Sequence, residues 1–149
     1  MYKYIGKLVF VTLTVLGVAA PAFALEVKLL CSIKLVSTYS NGQVERENFI
    51  DVIDVFDETF FLSIIPQSDK LGSVSSREHF GRSVDNYSDS NKWNLQTTDR
   101  LAKGQIVKTS ITIDRNTGVL FYSRDWDSSK IVGSATGSCE KVDATKRKF

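Results

Sequence analysis

Histidine is almost missing from this chain of 149 residues, and the motifs that support catalysis are missing with it. The one histidine, His79, has no nucleophile motif beside it, so we expect no general-base role for it. A single histidine and two cysteines also argue against a zinc site. There is no glycine-rich phosphate loop and no Gly-x-Ser-x-Gly element. The sequence therefore predicts a protein that is not an enzyme and that holds no cofactor or metal.

Long apolar runs are also missing, except at the N-terminus. Lys3 and Lys7 precede the apolar run 8–20, and Ala22-Phe23-Ala24 is the small-x-small pattern that signal peptidase cleaves. The run is too short for a membrane anchor, and no later segment resembles a stop-transfer sequence. We expect residues 1–24 to be a signal peptide and residues 25–149 to be one periplasmic or secreted domain without a membrane anchor.

An excess of one charge is the third missing feature. Lys3 and Lys7 would leave with the signal, and the remainder would then carry 17 basic and 17 acidic residues. This balance argues against a nucleic-acid partner. The stretch Glu45–Glu58 nevertheless holds six acids against Arg46 alone. It is either a solvated strand face or an acidic surface that docks a basic protein partner.

The only two cysteines are Cys31 and Cys139, near the two ends of the expected mature chain. In an oxidising compartment they should form a disulfide, the alternative being two buried free thiols. Closing a loop of 108 residues removes roughly 4–5 kcal/mol of unfolded-chain entropy.

Apolar residues alternate with polar ones along most of the remaining chain. Period-two patterns occur at 27–35, 92–97 and 105–114, and further strand signals occur at 44–56, 59–65, 119–124 and 130–140. Residues 67–91 are rich in Ser, Asp, Asn and Gly and indicate mostly loop, with short edge strands near 77–80. The fold class predicted is all-β, an antiparallel barrel or sandwich of about seven or eight strands whose first and last strands are neighbours.

Two tight turns are indicated between these strands. Asn41-Gly42 is a strong signal for a type I′ hairpin, because both central residues of that turn need positive φ. In the segment 114–118, Asp114 can cap a turn and Gly118 can adopt positive φ. The apolar residues of 44–56 do not alternate cleanly, which predicts either a bulge or burial on both faces.

The aromatic residues divide into core and surface candidates. We expect Trp93 and Phe121 inside the domain. Trp126 lies between two aspartates in a predicted turn, where it is either a contact residue for a partner or a loop residue folded back on the domain.

A resemblance rests on three late segments: 111–118 (ITIDRNTG), 137–140 (GSCE) and 146–149 (KRKF). Together with the signal pattern, they resemble small uncharacterised exported proteobacterial proteins that have one disulfide and a basic C-terminal end finishing in Phe. The resemblance implies export and a disulfide, and it implies no activity.

Two functions are consistent with these observations. The first is a non-enzymatic binding module, with Glu45, Glu47, Asp51 and Trp126 as possible binding residues for a basic protein. Its plan of export, disulfide and barrel is similar to that of small β-barrel lysozyme inhibitors, which suggests an inhibitor-like role by analogy of fold. The alternative is a carrier of small apolar ligands, with a barrel cavity lined by residues such as Phe49, Phe60, Leu62 and Trp93.

Overall fold

The computed structural model describes residues 25–58, 61–77, 80–126 and 131–142. The expected signal segment 1–24, Phe60, His79 and the basic tail 143–149 lie outside these described residues. No helix within the described ranges is long and apolar enough to cross a membrane.

The described chain forms one antiparallel sheet of nine strands. The strands are β1 Leu25–Thr38, β2 Val44–Glu58, β3 Phe61–Pro66, β4 Val74–Ser75, β5 Arg82–Asn86, β6 Lys92–Arg100, β7 Ile106–Asp114, β8 Val119–Trp126 and β9 Ile131–Lys141. A single 3₁₀ turn, Ala102–Gly104, connects β6 and β7.

The strand order is β4-β3-β2-β1-β9-β8-β7-β6-β5. Sequential strands are therefore neighbours throughout, except at β4 and β5, and the first strand pairs with the last. The short strand β4 comes close to β6 and β7. The sheet is thus a nearly closed barrel, with its seam between β4 and β5, and the predicted pairing of first and last strands is confirmed.

Alternation along the strands builds the core. Because successive side chains point to opposite faces, every second residue of a strand enters the barrel. The inner side chains are almost all apolar and buried: Val27, Leu29, Cys31 and Ile33 from β1, Trp93 and Leu95 from β6, Val107, Ile111 and Ile113 from β7, and Leu120 and Tyr122 from β8. The period-two patterns read from β1, β6 and β7 are confirmed.

The disulfide joins Cys31 of β1 to Cys139 of β9, which face each other directly in the register of the two strands. Their Cα atoms are 4.0 Å apart. The bond therefore links the first and last strands within the sheet and closes almost the whole described chain into one loop.

The predicted strand count is slightly low, because two short strands lie in the segment 67–91. Val74–Ser75 and Arg82–Asn86 flank the predicted edge strands near 77–80, and each forms one edge of the sheet. These segments form strands because they pair with β3 and β6, and their own polar sequences do not indicate a strand. Trp126 is likewise the last residue of β8 and not part of a turn.

Two further expectations about packing are wrong. Phe121 is 56% exposed, because the inward positions of β8 are Leu120 and Tyr122. The strand β2 has no bulge, since its register with β1 is continuous from Val44 to Asp57. Its outward apolar residues are partly or largely exposed, so burial on both faces does not explain its pattern either.

The structure contradicts the predicted type I′ turn at Asn41-Gly42 and agrees with the predicted turn at 114–118. Tyr39 and Gln43 are hydrogen-bonded, and of the residues between them only Gly42 has positive φ, so this hairpin has a three-residue loop instead of a type I′ turn. The carboxylate of Asp114 accepts hydrogen bonds from the N–H groups of two residues that follow it, and Gly118 has φ 71°, as expected. A Cβ at Gly118 would overlap the carbonyl oxygen of Cys139.

Candidate partner-binding surface

In the hairpin β1–β2, the strand β2 extends well beyond its neighbour β3. The strand β2 has 15 residues, but β3 pairs only with its second half, Ile53–Glu58. Among the described residues, the first half of β2 therefore has β1 on one side and no strand on the other. We call residues 44–50 the uncovered edge.

Asp51 ends the covered part of β2. Its carboxylate accepts hydrogen bonds from the N–H of Val52 (2.8 Å), the N–H of Ser68 (3.0 Å) and the hydroxyl of Ser68 (2.6 Å). These bonds hold the chain that leaves β3 at Ser68. The residue is only 4% exposed, so the prediction that Asp51 belongs to a docking surface is wrong.

Glu45 and Glu47 lie on the uncovered edge and are exposed, as expected for a docking surface. Glu45 accepts hydrogen bonds from the hydroxyl of Tyr39 (2.8 Å) and the side chain of Gln43 (3.3 Å). The hydrogen bond to Glu45 raises the pKa of Tyr39, with smaller contributions from burial and from the Glu45 charge. Glu47 forms an ion pair with Lys70. Glu45, in contrast, forms no ion pair among the described residues.

The opposite, outer side of the same region is apolar. Ile50 on β2 is 71% exposed, and Leu30 on the adjacent strand β1 is also exposed. Val119 and Phe121 are exposed on the same face of β8, which is separated from β1 by β9. A shallow groove of about 260 Å³ runs between Ile50 and Ser138, across the outer side of β1. We call these four apolar side chains the outer patch, and exposed apolar patches of this kind often mark protein contacts.

Trp126 lies at the same end of the barrel as Glu45 but does not touch it. Pairing in register relates Glu45 to Ser37, Ser37 to Gly133 and Gly133 to Arg124, which lies two residues before Trp126. Three strand spacings of about 4.8 Å separate β2 from β8 along the sheet. Trp126 is half-buried, and the guanidinium of Arg124 lies 4.7 Å from the centre of its ring.

A second, more polar cleft of about 530 Å³ lies at the opposite end of the barrel, beside the seam. One carboxylate oxygen of Asp57 accepts hydrogen bonds from the indole N–H of Trp93 (2.9 Å) and from Arg115 (2.8 Å), whose guanidinium covers the Trp93 ring. Arg115 belongs to the turn 114–118, for which the sequence predicts a structural role. These hydrogen bonds hold the side chains of Trp93 and Arg115 in place, so their positions do not require a bound ligand.

The barrel interior is filled by its own side chains. Ile33, Trp93, Leu95, Ile111 and Leu120 meet inside the sheet, and each is at most 2% exposed. Of the expected cavity-lining residues, Leu62 and Trp93 belong to this core and Phe49 packs partly against it. No group of three or more His, Cys, Asp or Glu side chains in the described ranges is arranged to hold a metal ion.

Sequence reasoning identified Glu45 and Glu47 but missed the uncovered edge and the outer patch. The signal for Ile50 was present in the consecutive apolar residues of β2, for which the sequence predicts either a bulge or burial on both faces. The uncovered edge has no local signal, because it depends on where β3 stops pairing. Comparison with known proteins finds no matching protein-family model, no matching curated protein and no matching solved structure.

Proposed function

We propose that this protein is an exported, non-enzymatic binding module that docks a basic protein partner on the hairpin β1–β2. The observation that carries the proposal is the uncovered edge, which presents the exposed carboxylates of Glu45 and Glu47 on its inner side and the exposed Ile50 on its outer side. An acidic pair next to apolar side chains suits a partner surface that has basic and apolar residues together.

Export is the part of this proposal that the N-terminal pattern supports. A lysine-containing start, an apolar run and a small-x-small site are typical of a secretory signal. The Cys31–Cys139 disulfide is consistent with this, because disulfides persist mainly in oxidising compartments. An inhibitor-like role against a basic exported enzyme would fit the same compartment.

The filled interior favours binding at the surface over transport of an apolar ligand inside the barrel. A carrier needs a cavity that the ligand can occupy, whereas the inner positions of this barrel are taken by buried Ile, Leu and Trp side chains. The polar cleft beside Asp57 is open and not apolar, so it does not replace such a cavity.

The test reverses the charge of the proposed surface. Binding of a basic lysozyme, and of other basic exported enzymes, is measured by biolayer interferometry for the wild type and the double variant Glu45→Lys/Glu47→Lys. We expect the variant to bind at least 10-fold more weakly, about 1.4 kcal/mol. The reversal at Glu45 turns an attractive charge into a repulsive one, and the reversal at Glu47 leaves Lys70 unpaired and adds a second positive charge beside it.

The matched control is Glu26→Lys, which reverses the charge of another exposed acid, on β1 at the other end of the barrel. This variant should bind like the wild type. Equal affinities of all three proteins for every basic enzyme that binds would contradict the proposal.

A further inference from the structure

The main chain of the uncovered edge has a defined orientation. Tyr39 and Gln43 are hydrogen-bonded across the hairpin loop, so the odd-numbered residues of β2 direct their N–H and C=O groups toward β1. The even-numbered residues direct theirs to the other side, as Val52 shows by accepting a hydrogen bond from Gln67 after β3. The main-chain groups that face outward along the uncovered edge belong to residues 44, 46, 48 and 50.

No strand of the described chain pairs with these four residues. Their N–H and C=O groups form a row of donors and acceptors of the kind that an additional strand can use. The chain after β3 does not supply that strand, because the Asp51–Ser68 hydrogen bonds hold it at the end of the covered region. The edge is thus kept open by specific contacts.

We propose that the partner binds by adding an extended, basic segment as a strand along the uncovered edge; this inference rests on the proposed function. In such a complex, main-chain hydrogen bonds to residues 46, 48 and 50 supply affinity, and alternating side chains supply specificity.

The side chains on the edge define the chemistry of the added strand. Glu45, Glu47 and Phe49 share the inner side, and Ile50 lies on the outer side as part of the outer patch. Residues that stand opposite each other on neighbouring strands attract when their charges are opposite. The partner segment should therefore carry lysine or arginine at alternate positions, one opposite Glu45 and one opposite Glu47, where it would share the carboxylate with Lys70. It should also carry an apolar residue beside Ile50.

A second copy of this chain fits the same edge less well. The antiparallel register that pairs all seven residues 44–50 with their copies places Glu47 opposite Glu47 on the same side of the sheet. Like charges directly opposite each other destabilise strand pairing. The charges that discourage self-association are those that attract a basic strand.

The test uses the full domain and the synthetic peptide acetyl-Ile-Val-Thr-Lys-Thr-Lys-Val-amide. In antiparallel register its two lysines lie opposite Glu47 and Glu45, and its first residue lies beside Ile50. A second peptide is N-methylated at both threonines, whose N–H groups would face the protein. A third is N-methylated at both lysines, whose N–H groups would face away.

Binding is followed by NMR titration and by amide hydrogen exchange. We expect the first and third peptides to bind with dissociation constants within about 2-fold, and the second to bind at least 10-fold more weakly. The amides of Arg46, Asn48 and Ile50 should exchange more slowly in the complex, whereas those of Glu45 and Glu47 already bond to β1 and should change little. Equal binding of the second peptide, or no binding of any peptide, would overturn strand addition.

A protein variant separates this inference from the proposed function. Asn48→Pro removes one edge-facing N–H and leaves the hydrogen bonds to β1 intact, and proline is tolerated at such positions of edge strands. We expect it to keep the wild-type unfolding temperature and to lose binding of the unmethylated peptide. A basic enzyme that still binds Asn48→Pro but not Glu45→Lys/Glu47→Lys would preserve the proposed function and refute strand addition. An enzyme bound equally well by all of these proteins would refute both.

Discussion

Replacing Asp51 by alanine tests whether this residue is structural. The substitution removes a buried carboxylate and leaves the N–H groups of Val52 and Ser68 and the hydroxyl of Ser68 without their acceptor. Hydrogen bonds to charged groups contribute about 1.5–3 kcal/mol each, but the hydroxyl can rotate and the lost charge no longer has to be desolvated. We therefore expect the free energy of unfolding to fall by roughly 2–4 kcal/mol.

The assay is urea unfolding followed by tryptophan fluorescence, to which the buried Trp93 contributes. Asp51→Asn keeps one acceptor oxygen, so its free energy of unfolding should lie between that of the wild type and that of the alanine variant. Glu45→Ala and Glu47→Ala are the controls, and each should change stability by less than about 1 kcal/mol because exposed ion pairs contribute little. A loss below about 0.5 kcal/mol for Asp51→Ala would refute the structural role and return Asp51 to the docking surface.

Two further predictions concern the scaffold. The double variant Cys31→Ala/Cys139→Ala should lose roughly 4–5 kcal/mol in urea unfolding, because the disulfide closes a loop of 108 residues; a loss under about 1 kcal/mol would contradict that reasoning. The N–H groups of Thr117 and Asn116 lower the pKa of Asp114, so Asp114→Asn should be less stable than the wild type at pH 6. A lowered pKa adds its full stability above the unfolded-state value of about 3.9, and this stability is lost as the pH falls through the lower folded-state pKa. The difference between the two proteins should therefore shrink below about pH 3.9, and a difference that stays constant there would disprove this role.

Much of the fold could be predicted, because it follows from local patterns. A period of two in β1, β6 and β7 assigns each side chain to one face, and the buried positions agree with that assignment. The same rule was available for β8, where Trp126 and Phe121 were nevertheless assigned to a turn and to the core. Size and aromatic character are weaker guides to burial than the position of a residue in the alternation.

The candidate surface could be predicted only in part. An acidic stretch does not reveal which acids point to solvent, and Glu45 and Asp51 lie on the same side of β2 yet differ completely in exposure. The difference arises from Ser68, a residue 17 positions away that folds onto Asp51. Distant contacts of this kind leave no pattern in the local sequence.

Three features follow from the residues alone: the alternation that forms the strands, the two cysteines that join the first strand to the last, and the glycine turn that precedes β8. These features depend on residues close together in the chain or on a unique pair. The lengths over which strands pair depend instead on the folded barrel, in which β3 covers only the second half of β2 and leaves residues 44–50 with a free edge. Strand pairing joins distant segments through main-chain groups that every residue has, so its extent is set by the whole barrel and not by the residues of the edge itself.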